Sequence, residues 1–400
     1  MAQNCFVSLF SGAGGLDIGL EAAGWIGRYA SDADPVTIDT LKANKGRLIG
    51  GRRYFEHSTI ELADVRALTG KHILEKIGAT HGEIPLLVGG PPCQSWSSAG
   101  RQGGFDDPRG RLFSDFVRLA GELGVRWVLF ENVRGLLTAR GRDGRPGSAL
   151  EQIRRELLDA GFQTVVTLVN AADYGVAQRR VRLIVFGYRD SEPFIIPTPT
   201  HEKCVKGESP PWQSLRQLLA GIPRIDETEI IRPSGLLAKQ LEGLPEGSGV
   251  KSPGKRESTR PGGHWGYKQG AFITDPSKPA RTVTANAQQD WYRDPVHGLR
   301  RLCPRECAAI QTFPDGWFFS GRRADHYRQI GNAVPPTLGQ VLGTALLVHL
   351  NRIEENLVEH ADLIPLHPSL MSAIHYTERD HMRNGVSRMA APDKRSRRAA

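Results

Sequence analysis

Cys5-Phe6-Val7-Ser8-Leu9-Phe10-Ser11-Gly12-Ala13-Gly14-Gly15, followed by an amphipathic stretch from about Leu16 to Ala23, puts an apolar run, a glycine-rich turn and a helix in immediate succession. The alternation continues. Apolar runs recur at Pro85–Val88, Trp127–Phe130, Val165–Val169 and Val181–Phe186, with an amphipathic stretch at Leu150–Leu158. Strands alternating with helices predict a doubly wound α/β sheet, whose ligands bind beyond the carboxyl ends of the strands. Glycines in the first turn let a backbone approach a ligand closely, although the turn alone fits dinucleotide binding or a merely tight turn. Asp32, about 20 residues on, could accept hydrogen bonds from ribose hydroxyls. Asp64, after Leu62-Ala63, could do the same for an adenine amino group.

The chain has 400 residues, 39% hydrophobic and 24% charged, enough for one large domain with its own core and a smaller one. No apolar run reads as a membrane span, and Met1-Ala2-Gln3-Asn4 lacks a signal-peptide layout, so a cytoplasmic protein with no membrane partner is expected. The five cysteines are odd in number, and Cys303-x-x-x-Cys307 has no second ligand pair; free thiols and no metal are expected. A formal charge of +9 favours a polyanionic partner. Part of that excess sits in the tail Asp393-Lys394-Arg395-Ser396-Arg397-Arg398, which reads as a solvated end.

From about Ser191 the chain turns Pro- and Gly-rich, as in Ile195–Pro199 and Gly247–Gly263, and reads as a second, loop-rich domain. Helix returns near Pro336–Asn351, where Leu338, Val341, Leu342, Ala345 and Leu346 form an apolar face.

Leu86-Leu87-Val88-Gly89-Gly90-Pro91-Pro92-Cys93-Gln94-Ser95-Trp96-Ser97 places a cysteine just past a strand, on a loop stiffened by two prolines. Buried cysteines seldom sit in such a loop, so a thiol facing the ligand crevice is the better reading. The strand Trp127–Phe130 delivers Glu131-Asn132-Val133 to the same sheet edge, because parallel strands end on one side. A nucleophile and an acid would converge there. Gln178-Arg179-Arg180-Val181-Arg182 leads into the next strand, and alternation would put Gln178, Arg180 and Arg182 on one face.

In their order along the chain these segments resemble the cytosine-5 DNA methyltransferase family, over roughly residues 5 to 190 and 280 to 345. The resemblance rests on Phe10–Gly15, Pro92-Cys93-Gln94, Glu131-Asn132-Val133 and Gln178-x-Arg180-x-Arg182. Further along come Arg301-Leu302-Cys303-Pro304-Arg305-Glu306, Gln311-Thr312-Phe313-Pro314 and Gln329–Pro336. It implies a Rossmann-like S-adenosylmethionine-dependent fold with a mixed doubly wound sheet and a smaller, loop-rich target-recognition domain. The catalytic domain would be 1–190 completed by 322–352, the recognition domain 191–321, and 353–400 a flexible basic tail.

For S-adenosylmethionine the resemblance implies Phe10 stacked on the adenine, Gly12, Gly14 and Pro92 lining the site, Asp32 on the ribose, Asp64 on the adenine, and Asn332 closing the pocket. Relatives more often carry Glu where this chain has Asp32, followed by an aromatic where it has Ala33. Cys93, with Gln94 beside it, would add to carbon 6 of a cytosine while Glu131 protonates ring nitrogen 3. Arg182, with Arg180, would hold the carbonyl oxygen or a phosphate and lower the thiol pKa. The target must be flipped out of the duplex. Ser97–Phe105 would form a hinged lid over it, with small Ala99 where a relative may insert a polar side chain. Arg256, Arg260, His264, Trp265, Tyr267 and Lys268 suit a loop that reads a DNA groove.

The implied partners are double-stranded DNA and a cognate restriction endonuclease, for a monomer at the nucleoid. Rival readings are a tRNA cytosine-5 methyltransferase, whose cysteine-aromatic-threonine signature is not apparent here, and a catalytically idle DNA-binding module, which would have lost Cys93 or Glu131. A nicotinamide dehydrogenase fits only the glycine turn.

Overall fold

The computed structural model describes residues 4–92, 112–141, 143–203, 207–223, 225–251, 270–352, 358 and 360–389, with side chains to 379. Strands β1 (Cys5–Leu9), β2 (Ile26–Asp32), β3 (Thr59–Leu62), β4 (Leu86–Gly89), β5 (Trp127–Val133), β6 (Gln163–Asn170) and β7 (Val181–Tyr188) form one sheet. Their order is β3-β2-β1-β4-β5-β7-β6, with β7 antiparallel to both neighbours and every other pair parallel. This is the expected mixed, doubly wound sheet. Because β1 is followed on one side by β2 and on the other by β4, the crevice for a ligand opens at their carboxyl ends.

Period-two alternation divides the strands between two cores. Val7, Leu9, Leu87, Val128, Phe130 and Val185 enter one; Phe6, Leu86, Val88, Leu129, Ile184 and Phe186 enter the other. Both faces are buried, which is why the strands read as nearly continuous apolar runs. Helices α1 (Gly15–Ala23), α2 (Pro35–Asn44), α3 (Gly70–Ile77), α4 (Leu112–Leu123) and α5 (Ser148–Asp159) fill the connections. Ile73, Phe116 and Leu150 carry α3, α4 and α5 onto the first face. The start of α2 is fixed by Pro35 in its first turn and by the Asp34 carboxylate, which accepts from the Val36 amide at 3.1 Å.

The second module is a small sheet of β8 (Ser248–Gly249), β9 (Phe272–Ile273), β10 (Trp291–Asp294) and β11 (Gly298–Arg301) around Leu241, Leu244, Ile273 and Trp291. The chain then returns through α6 (Pro304–Ile310), α7 (Arg323–Asn332), α8 (Pro336–Leu350) and α9 (Pro368–Met389). Helix α8 lies against α1 so closely that a Cβ on Gly19 would stand 2.3 Å from the Pro336 carbonyl oxygen. Arg323–Leu350 is long and apolar enough to cross a membrane, yet it is broken between α7 and α8, and 56% of its most apolar window is buried in the protein.

Two expectations are corrected. Phe313 and Trp317, within the stretch 191–321 expected to be a separate domain, pack with Ile18, Ile38, Leu41 and Phe55, so packing on the first module resumes before residue 322. The tail expected to be flexible from 353 contains α9, whose Leu370 and Ile374 join the main core, while Gln163 donates to the Asp362 carbonyl at 2.7 Å. Residues 390–400 lie outside the described residues. Ile374→Ala should lower stability by about 2–5 kcal/mol in urea titration; a flexible tail predicts no change.

Candidate active site

A cavity of about 450 Å³ opens at the carboxyl edge of β1, β2, β4 and β5, closed from the far side by Asn332–Val334. Its floor is the first glycine turn. Phe10 has φ 55, a left-handed conformation that costs a non-glycine residue about 1–2 kcal/mol. It is held there by the Ser11 amide on the Ser31 carbonyl at 3.0 Å and by the Ser8 and Ser11 hydroxyls at 2.8 Å. The Gly12 amide donates to Asp32 Oδ2 and the Asp34 amide to Asp32 Oδ1, both at 2.9 Å. Burial raises the Asp32 carboxyl above its ordinary range, and these amide bonds oppose the shift. A Cβ on Gly12 would meet nothing within 4 Å and the residue lines the cavity, leaving backbone exposed to a ligand.

Gly14, expected at the cofactor, does not line the cavity. Its absent side chain is replaced by Phe55 and Leu41, 2.8 and 2.9 Å from where a Cβ would stand. Gly14 therefore serves the turn and its packing, and Gly15 takes its place on the wall. Asp64 also lines the cavity, but its carboxylate is gripped by the Arg66 side chain and amide, which hold it below the usual carboxylate range.

At the other end, Asn132 donates to the Pro91 carbonyl at 3.1 Å, tying the acid strand to the loop that leads into Cys93. Strand β5 pairs Val133 with Arg182, so Glu131, two residues back on the same face, is the diagonal neighbour of that guanidinium. Arg182 Nε and Glu131 Oε1 approach to 2.9 Å, both nearly buried; the pair is an ionic contact without a well-directed hydrogen bond. Strand β7 begins only at Val181, so the expected single face for Gln178, Arg180 and Arg182 does not form. Arg180, 1% exposed, turns to the returning segment, donating to the carbonyls of Val283 at 3.1 Å, Gly331 at 2.9 Å and Ala333 at 2.8 Å. The last two end α7, where unpaired carbonyls attract a cation. Gln178 joins the same layer through Gln311 and the Val283 amide.

The structure thus gathers Phe10, Gly12, Asp32, Asp64, Pro92, Glu131, Arg180, Arg182 and Asn332 around one cavity. Cys93, Gln94, the Ser97–Phe105 lid and the basic loop from Arg256 to Lys268 lie outside the described residues. Sequence reasoning missed Asp17, which lines the cavity while 1% exposed. An acid in the first turn of a helix is ordinary, and nothing in the sequence singles it out. Desolvation pushes its carboxyl up to about 7.

The family model for C-5 cytosine-specific DNA methylase matches residues 5–347. The Type II methyltransferase M1.HphI of Haemophilus parahaemolyticus is 30% identical over 350 residues, covering 86% of each chain. M.FnuDI of Fusobacterium nucleatum is 32% identical over 368 residues, covering 88% of this chain and 95% of the relative. Among solved structures, a protein named as a DNA modification methyltransferase encoded within an E. coli prophage superposes with a TM-score of 0.63 at 22% identity, covering 87% and 99%. That likeness bears on the fold alone.

Asp17 has a stability signature. Burial pushes its carboxyl up to about 7 against 3.8 ordinarily, so the folded protein holds an extra proton between those values. Stability from this group is full below about 4 and is lost as pH rises to about 7. Asp17→Asn should therefore melt higher than the parent at pH 8, by the equivalent of a few kcal/mol, and match it near pH 4. A variant melting lower at both pH values would contradict this.

Proposed function

The chain belongs to the C-5 cytosine-specific DNA methylase family, and from that premise we propose that it modifies one short duplex sequence as the methylating half of a restriction-modification pair. The Type II relatives support the pairing with an endonuclease. S-adenosylmethionine is the family's methyl donor, and when bound it supplies an electrophilic methyl on a sulfonium. The cavity fits it: Gly12 leaves open space against bare backbone, and Asp32 stands at the next strand end. Phe10, Gly12, Asp32, Asp64, Pro92 and Asn332 would hold it.

One junction carries the catalytic reading. Asn132 binds Pro91, and Glu131 with Arg182 sits in the same cavity as the cofactor cradle. The residue after Pro92 is Cys93. Its thiolate would add to carbon 6, forming the sulfur–carbon bond and moving the ring π pair toward carbon 5, while Glu131 delivers a proton to ring nitrogen 3. Arg182, beside Glu131 on the cavity, would bind the carbonyl oxygen; Arg180 would position the closing segment. After methylation a base removes the carbon 5 proton, that electron pair restores the double bond as the thiolate leaves, and the proton on ring nitrogen 3 returns to Glu131.

The target would reach this site by flipping, at a cost of a few kcal/mol offset by contacts in the pocket. Reading of the flanking bases would fall to the module between 191 and Arg301. The enzyme would act as a monomer in the cytoplasm, at the nucleoid.

Labelled methyl should pass from S-adenosylmethionine to duplex DNA at one short context, located by bisulfite sequencing. Cys93→Ser should abolish transfer, and Glu131→Gln should slow it by about 10²–10⁴-fold with cofactor binding retained. Label on transfer RNA instead of DNA would overturn the DNA assignment.

A further inference from the structure

S-adenosylmethionine carries two cationic groups, the sulfonium and the α-ammonium of its methionine end. The residues assigned to it above address chiefly the adenosine. Along the sheet edge those assignments follow strand order: Asp64 after β3, Asp32 at the end of β2, and Glu131 and Pro91 at β5 and β4. The strand left between ribose and cytosine is β1. Strands are spaced about 4.8 Å apart, so the methionine end must cross the carboxyl end of β1 to bring its methyl toward the cytosine.

Asp17 stands there, in the first turn of α1. It lines the cavity with the β1 residue Ser8, whose hydroxyl lies beside the carboxylate. It is 1% exposed, and among the described residues neither oxygen has a well-directed hydrogen-bond donor. Its charged surroundings do not compensate it. Glu21 follows on the same helix, Asp32 faces it from β2 and repels it, and α8, packed on α1, carries no Asp, Glu, Lys or Arg from Pro336 to Val348. Of the arginines on the same cavity, Arg180 donates to main-chain carbonyls, Arg66 pairs with Asp64, Arg182 with Glu131, and Arg328 with Asp34 and Asp325. A buried carboxylate in that position calls for a cation.

We propose that Asp17 is a binding residue for the α-ammonium of the cofactor's methionine moiety, an assignment that rests on the cavity being the S-adenosylmethionine site. The ammonium offers three N–H donors, enough for the carboxylate and the Ser8 hydroxyl together; the sulfonium offers none. Because burial pushes the Asp17 carboxyl up to about 7, binding below that pH releases a proton, and affinity rises with pH through 7 until the ligand's own ammonium deprotonates.

The test is calorimetric titration of the full chain with two nucleosides. S-adenosylhomocysteine keeps the α-ammonium and lacks the sulfonium; 5′-methylthioadenosine keeps the adenosine and lacks the ammonium. Asp17→Asn should weaken S-adenosylhomocysteine by about tenfold to a hundredfold at pH 7.5 and leave methylthioadenosine within about twofold. In the unmodified protein, lowering the pH from 8 to 6 should weaken the first ligand more than the second, a readout that needs no variant. Equal weakening of both ligands, or of neither, in both experiments would overturn the proposal. Failure of the unmodified chain to bind either nucleoside would remove the cofactor reading of the cavity, and the proposal with it.

Discussion

A guanidinium buried in the middle of a protein is tolerated only where acceptors meet it, and Arg180 meets them on segments more than a hundred residues away in sequence. Val283 lies between β9 and β10 of the second module; Gly331 and Ala333 end α7. Beside them the main chain of Arg179 is joined to this layer, its amide donating to the Ala280 carbonyl at 2.9 Å and its carbonyl accepting from the Thr282 hydroxyl at 2.8 Å. These bonds draw Asn332–Val334 across the mouth of the sheet and turn an open crevice into a walled cavity. Gly15 completes the closure, since a Cβ there would lie 2.2 Å from the Val334 carbonyl oxygen. Of Arg180 and Arg182, both on the cavity, Arg180 binds main-chain carbonyls and Arg182 meets the acid.

The cavity edge reads as a sequence of chemistries laid out by strand order. Carboxylates lie at β3 and β2, a hydroxyl and a buried carboxylate at β1, and an acid with its arginine at β5 and β7. A long ligand with a polar nucleoside at one end and a reactive carbon at the other can lie across such an edge without bending around the protein. The electrostatics are asymmetric. Asp17, Asp32 and Glu21 all have carboxyls raised by burial, whereas Arg182 faces Glu131 at the opposite end. A cationic ligand suits the first end and an electron-rich base the second.

Much of this was legible in the sequence because both faces of the sheet are buried, so strands announce themselves as apolar runs. The Pro91-Pro92-Cys93 loop and Glu131 were legible because rigid or acidic residues directly after such runs have few structural reasons to be there. Other features were not. The split between Arg180 and Arg182 depends on β7 starting at Val181, one residue beyond Arg180. Phe313 and Trp317 follow the second module in the chain but pack on the first, and sequence order does not reveal packing. Helix α9 anchors through Leu370 and Ile374, too sparse a stripe to stand out in a polar tail. Asp17 carries no sequence signal, only burial.

Duplex DNA containing 5-fluorocytosine at the target decides whether a covalent cytosine adduct forms at Cys93. Fluorine at carbon 5 cannot leave as a proton, so the elimination that frees the thiolate is blocked. A denaturation-resistant protein–DNA adduct is expected, forming only with S-adenosylmethionine present and mapping by peptide mass to Cys93. An adduct at another residue, or efficient methylation of ordinary cytosine without trapping of the fluorinated base, would contradict it.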